Sequence, residues 1–307
     1  TEAAAIVDMS ASIAVARTLA RDVDAPGRRI SLFLNPTGTD LTLLAEPSDR
    51  SIRLDALEMQ YYRAIAGAPA LMDTLRGAVA RERYGRSCRD VSSQLPHARI
   101  KTLAGLGAAA LEQIVEAPNA MIRVWRIDQA TLSVAAVNVP VNSSMEVAVG
   151  DWRLVTDEGL MANLAEQRSA KLPNETGGVL LGSVDVARRV VYVVDSIPSP
   201  PDSEEWPTLY IRGAAGLKER VGQVHAATAG QLHYIGEWHS HPRGCAPVPS
   251  GDDMKVFAWI TDALDANDLP AVMMIVADAG NAIFVGSISS DAAPTLLRTN
   301  RAAAESP

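Results

Sequence analysis

Two histidines stand two apart in GEWHSHPRGCAPVPSGDD (residues 236–253), and an acidic pair closes the stretch. QLHYIGEWHSHP reads as a strand, in which side chains alternate between faces. His239 and His241 then share one face, and Trp238 and Ser240 the other. Two imidazoles so placed could share a metal ion. The following PRGCAPVP is rich in proline and glycine and reads as a loop. SGDD then opens an apolar helix, where Ser250 with Asp253 three residues on fits an N-terminal capping signature. A carboxylate in that first turn could face the strand end and supply a third ligand. Two histidines and one carboxylate leave one zinc position open, as catalytic sites do.

Hydrolysis at such a site also needs a general base. NETGGVLLG (174–182) offers Glu175 before a glycine pair and an apolar strand. Residues 176–238 separate it from His239, and spacing alone does not join them. Taken together, E-T-G-G-x-L-L-G, G-E-W-H-S-H-P and P-S-x-x-D resemble the JAMM metalloproteases, also called JAB/MPN+, over about residues 140–290. The resemblance implies a curved mixed β-sheet flanked by helices. It implies zinc held by His239, His241 and Asp253, with a water in the fourth position hydrogen-bonded to Glu175 as the base. It implies Ser250 as a stabiliser of the oxyanion. Its substrates are isopeptide or peptide bonds after the tail of ubiquitin or a ubiquitin-like protein.

One spacing departs from that pattern. Residues 242–249 separate His241 from Ser250, one more than in the family. Asp252 thus keeps the usual distance from His241, whereas Asp253 keeps the S-x-x-D spacing. Asp253 is preferred, because a Pro/Gly loop absorbs an extra residue. A one-residue shift of helix register would swing the carboxylate by about 100°.

Other residues have plainer readings. His225 and His233 are isolated and are assigned surface or core roles. Cys245 is a loop thiol. Glu237 falls on the histidine face of its strand, either supporting the ligands or in an ordinary salt bridge. In the family an insertion near residues 198–217 helps hold the ubiquitin-like tail. Here that segment carries Trp206, Tyr210 and Arg212, the candidate substrate contacts, unless it is an ordinary surface loop.

The elements that must position these groups follow from the chain as a whole. Its 307 residues suffice for two domains. Thirty-six acidic against 28 basic residues give a net charge of −8, a poor basis for binding nucleic acid. Cys88 and Cys245, far apart, suggest a reducing cytoplasm rather than a disulfide scaffold. No apolar run approaches the ~18 residues of a membrane helix, and no signal peptide is evident. The opening TEAAAIVDMS reads as the approach to a strand, as if the chain were the rear of a longer protein.

The expected architecture is α/β in both halves. Residues 1–140 read as strand, helix, strand (5–9, 12–22, 28–36), then a strand at 41–46, helices at 55–67 and 102–116, and a strand at 121–127. That order suggests a parallel, Rossmann-like sheet. VNVPVNSS (137–144) shows no period and marks the boundary. Residues 141–297 form the JAMM-like domain, with SPPDSEEW (199–206) as a loop, and residues 298–307 a disordered tail. IVDMSASIAVARTLARD is similar to the second half of the adenylating domain of ubiquitin-activating enzymes and their ThiF/MoeB relatives. Asp8 and Ser10 match that motif, Ala11 replaces its magnesium-binding aspartate, and no glycine-rich nucleotide loop precedes it. Cys88 in GRSCRDVSS is a candidate thioester cysteine because flanking arginines favour a thiolate, although a structural role is the simpler reading.

The function expected is that of a zinc isopeptidase. It would cleave a ubiquitin-like protein from targets or from its precursor in a bacterial conjugation pathway, by class one of antiviral defence. Its partners would be that protein, its conjugates and activating- or conjugating-type enzymes, with neither nucleic acid nor membrane. The alternatives are a silent MPN scaffold and a regulatory module of an activating-type enzyme.

Overall fold

The structure is a computed structural model. It describes residues 3–77 and 95–287, with the backbone of three further short strands. The chain divides into two compact units. The first is Thr1–Ser144 with Gln223–Leu232, and the second is Met145–Gly222 with His233–Pro307. A contiguous division near residue 140 does not foresee that the stretch 223–232 clusters with the first unit.

The first unit contains β1 (Ala5–Asp8), α1 (Ile13–Arg21), β2 (Arg28–Leu34), β3 (Asp40–Ala45), α2 (Leu54–Gly67), β4 (Glu82–Arg83), β5 (Val91–Ser92), α3 (His97–Glu116), β6 (Met121–Ile127) and β7 (Val134–Val139). Its main sheet runs β1-β2-β3-β6-β7. Ile30, Leu32, Leu41 and Leu43 pack with Leu103, Ala110 and Ile114 of α3 on one face. On the other face, Phe33 meets Tyr61 of α2 edge-on with ring centroids 5.9 Å apart. Burial on both faces leaves β2 and β3 buried along nearly their whole length rather than on alternate residues.

The expectation of a parallel sheet is corrected here. Only β1 and β2 run parallel, and β2–β3, β3–β6 and β6–β7 are antiparallel. Residues 35–39 and 128–133 are tight connections, too short for the crossover of about a dozen residues that parallel neighbours need. Part of the stretch taken as a boundary, 137–144, belongs to β7. This strand is mostly exposed at the sheet edge and so lacks the alternation of a half-buried strand. α3 begins at His97, before the expected 102, behind Pro96. Cys88 and residues 298–307 lie outside the described residues.

The second unit contains β8 (Ser144–Val149), β9 (Trp152–Asp157), α4 (Glu158–Lys171), β10 (Gly177–Asp185), β11 (Val190–Pro198), β12 (Glu204–Trp206), β13 (Leu209–Ile211), the start of α5 (Leu217–Ala227), β14 (His233–Ser240), α6 (Gly251–Asp265), β15 (Ala271–Ala277), β16 (Gly280–Gly286) and β17 (Thr295–Leu297). Its large sheet is mixed, in the order β17-β16-β15-β14-β10-β11-β9-β8. β14 is antiparallel to β10 and parallel to β15. α4 covers one face, where Leu160, Met161 and Leu164 meet Trp238 and Met274. α6 covers the other, where Phe257 and Ile260 meet Met273 and Ile275. SPPDSEEW is not wholly loop, because β12 pairs with β13 as a small hairpin, Trp206 opposite Leu209. No described helix is long and apolar enough to cross a membrane.

Candidate metal centre

Alternation on β14 decides where the histidines point. Trp238 is buried on the α4 face, so His239 falls on the α6 face, opposite Ile275 of β15. α6 starts on that face with a complete capping box. Ser250 Oγ accepts the Asp253 amide at 3.1 Å, and Asp253 Oδ2 accepts the Ser250 amide at 2.6 Å. The other carboxylate oxygen, Oδ1, lies 3.5 Å from His239 Nε2. One ligand-type atom from each of His239, His241 and Asp253 lies within 4.8 Å of the others.

Each histidine is prepared to give a lone pair. His241 Nδ1 lies 2.7 Å from the Ala246 carbonyl oxygen, to which it donates, leaving Nε2 as the acceptor. His239 Nε2 is buried and has no hydrogen-bond partner among the described residues. An orphaned buried nitrogen costs free energy unless something meets it. Burial, with His241 adding and Asp253 opposing, pushes the His239 pKa down to about 4, so the ring is neutral at physiological pH. This donor set suits zinc, with two imidazoles, one carboxylate and room for a fourth group.

The strand ladder brings Glu175 to the same place. Gly177 pairs with His239, the Ser240 amide donates to the Thr176 carbonyl at 2.7 Å, and the Thr176 amide donates to Ser240 Oγ at 3.0 Å. Glu175 therefore sits at the end of β10 beside the histidines. Burial, and then the Asp253 charge, raise its pKa to about 7. A Cβ on Gly177 would come within 2.4 Å of both the Trp238 carbonyl oxygen and Tyr210 Cε1, which is why glycine is needed where Tyr210 lies on the strand.

Glu175, His239, His241, Ser250 and Asp253 line one cleft of about 910 Å3, together with Tyr210 and Arg212. Trp206 does not line it. Its ring is exposed and its carbonyl accepts the Glu175 amide at 2.9 Å. Asp252 also reaches the cleft, but its carboxylate is exposed and pairs with Lys255 at 2.8 Å. Cys245 is an exposed thiol in the cleft wall. Glu237 is bound to Arg212 at 2.8 Å. His225 and His233 are not in the ligand cluster.

Several supports carry no motif that a sequence displays. Arg168 of α4 donates from Nε to the His241 carbonyl at 2.8 Å and from Nη1 to Asp278 at 2.7 Å. Asp278 in turn accepts the Gly244 amide at 3.0 Å, which fixes the loop after the histidines.

Comparison with known proteins places this arrangement. Residues 157–285 match the family model described as prokaryotic homologs of the JAB domain. A relative from Enterobacter hormaechei subsp. hoffmannii (strain UCI 50), named CD-NTase/cGAS isopeptidase, is 38% identical over 128 residues, which are 41% of this chain and 69% of that protein. The chain belongs to the prokaryotic JAB-domain family. A second relative of the same name, from Escherichia coli (strain TW11681), is 29% identical over 109 residues, 33% of this chain and 61% of that protein.

Proposed function

We propose that this chain is a zinc-dependent isopeptidase that releases a ubiquitin-like protein from a conjugate or from its precursor. The observation that carries this reading is the convergence of His239, His241 and Asp253 with a partly buried, pKa-raised Glu175 in one cleft. The two relatives named as CD-NTase/cGAS isopeptidases favour a conjugate of that class of protein as the substrate.

His239, His241 and Asp253 would hold the zinc. When bound, zinc supplies Lewis-acid polarisation of the scissile carbonyl and lowers the pKa of water to roughly 7. The chain's own residues do the rest. The Glu175 carboxylate accepts a proton from the attacking water as the new C–O bond forms. The Ser250 hydroxyl faces the oxyanion with its proton, because its oxygen is the one already committed to the Asp253 amide. Glu175 then passes the proton to the leaving amine as the C–N bond breaks, releasing a carboxylate and a lysine or α-amine. Tyr210 and Arg212 are the proposed substrate-facing residues of the insertion, with Trp206 at its tip.

The first unit is proposed as the rear of an activating-enzyme-like domain. Asp8 at the end of β1 supports this, its Oδ1 accepting the Ser10 amide at 2.9 Å and hydroxyl at 2.6 Å. On sequence grounds alone Cys88 stays a candidate thioester cysteine, with a structural role the simpler reading.

The test is cleavage of a ubiquitin-like protein joined through its C-terminus to a lysine ε-amine, followed by mass spectrometry. Release that stops on chelation and returns with zinc supports the reading. No release by a zinc-loaded chain from any ubiquitin-like conjugate tried, CD-NTase conjugates included, contradicts it.

A further inference from the structure

The hairpin β12–β13 is held by tethers that lie outside the metal-ligand set. Its base is closed internally. Asp202 accepts the Ala214 and Ala215 amides, each at 3.0 Å, and Ser203 Oγ accepts the Gly213 amide at 2.9 Å. Beyond that base its strands form a two-stranded sheet of their own among the described residues. A two-stranded hairpin this short has little stability of its own, so its place depends on what ties it down.

Three ties reach the cleft. The Glu175 amide donates to the Trp206 carbonyl at 2.9 Å. Glu205 accepts the Thr176 hydroxyl at 2.6 Å and the Lys171 ammonium at 2.6 Å. Arg212 Nη2 meets Glu237 Oε1 at 2.8 Å, and Tyr234 donates to the same oxygen at 3.2 Å. Glu237 lies two residues before His239 on β14 and so on the same face. The two side chains are only 24% and 15% exposed, so breaking the pair strands a poorly hydrated charge.

We propose that the Arg212–Glu237 pair is a latch that holds the hairpin against β14 and, through the Trp206 carbonyl, keeps Glu175 in position. This rests on the reading of Glu175 as the base. Arg212 and Glu237 are then positioning residues, and an open latch frees the backbone that carries Glu175.

The test is residue-resolved hydrogen exchange of the full chain in wild type, Arg212→Glu, Glu237→Arg and the double charge swap. Each single reversal is expected to speed exchange of the Glu175 amide about tenfold or more while β15 stays protected. The swap is expected to return it to within about threefold of wild type. Unchanged Glu175 exchange in the single variants, or a swap as fast as they are, overturns the latch. Where a reversal unfolds the chain, seen as exchange across β15, Arg212→Gln and Glu237→Gln are judged by the same criterion of faster Glu175 exchange. Exchange needs no substrate, so a wild type that cleaves nothing counts against the proposed function alone. In a cleaving chain, the single reversals lower kcat and the swap restores it. A rise in KM with kcat unchanged, which the swap does not reverse, would leave Arg212 its substrate contact alone and overturn the latch.

Discussion

Asp253 gives one carboxylate oxygen to its own helix cap and turns the other to within 3.5 Å of His239 Nε2. The cap therefore does two things at once. It satisfies the first amides of α6, and it fixes the rotamer that aims Oδ1 at the strand. A helix start with only one acidic residue free to turn inward selects Asp253 over its neighbour, since Asp252 points outward to Lys255.

Glu175→Gln keeps the shape of the side chain and removes its basicity. Cleavage is expected to fall by about 10²–10⁴-fold, the range for loss of a general acid–base group. Bound zinc should remain as in wild type, checked by elemental analysis of the same sample. Wild-type cleavage by this variant would assign the base elsewhere.

Glu175 also makes a pH-dependent contribution to stability in the metal-free chain. Its pKa rises from 4.5 to about 7 on folding, so the fold favours the protonated form. Stability is full below pH 4.5, declines as pH rises through 7, and is then constant. Glu175→Gln should thus be more stable than metal-free wild type at pH 8 by about 1–2 kcal/mol, after discounting for solvent screening of a partly buried group, and equal to it at pH 4. Urea unfolding with a chelator at both pH values measures this. A difference that does not change with pH would contradict it.

Ser250→Ala removes the hydroxyl that caps α6. The cost should be about 1 kcal/mol of stability, and only a few tenths for Ser250→Gly. The residue-250 amide still reaches Asp253 Oδ2, but with the Ser250 Oγ half of the box gone the turn that aims Oδ1 loosens, and zinc should be held about tenfold more weakly. Thermal unfolding and a zinc titration read the two effects separately, and an unchanged zinc affinity would deny the cap its orienting role.

Gly177→Ala drives a methyl group into the Trp238 carbonyl and the Tyr210 ring. The ring can swing away but the carbonyl of a central strand cannot, so a loss of about 1–3 kcal/mol is expected. Adding Tyr210→Ala should recover only part of it, and full recovery would place the strain in the ring alone.

The ligand-type residues were legible because each obeys a local rule. Strand alternation set His239 and His241 on one face, and a capping signature set Asp253 at a helix start. Glu175 obeys no local rule toward them. Family likeness joined it to the site, and the β10–β14 ladder is what brings it there. The supports were hidden because the Trp206 and Ala246 carbonyls belong to the backbone, and Arg168 lies far from His241 in sequence. Composition misled at β12, where proline and acidic residues masked a hairpin. Strand–helix–strand order misled in the first unit, since it fixes which elements exist and not which strands pair.

Zinc content of the purified chain, by elemental analysis after reconstitution, bears on all of this at once. About one zinc per chain is expected in wild type and in Asp252→Ala, with loss in His239→Ala and Asp253→Ala. A wild type that takes up no zinc, or one whose zinc depends on Asp252 and not on Asp253, would contradict the assignment of this site.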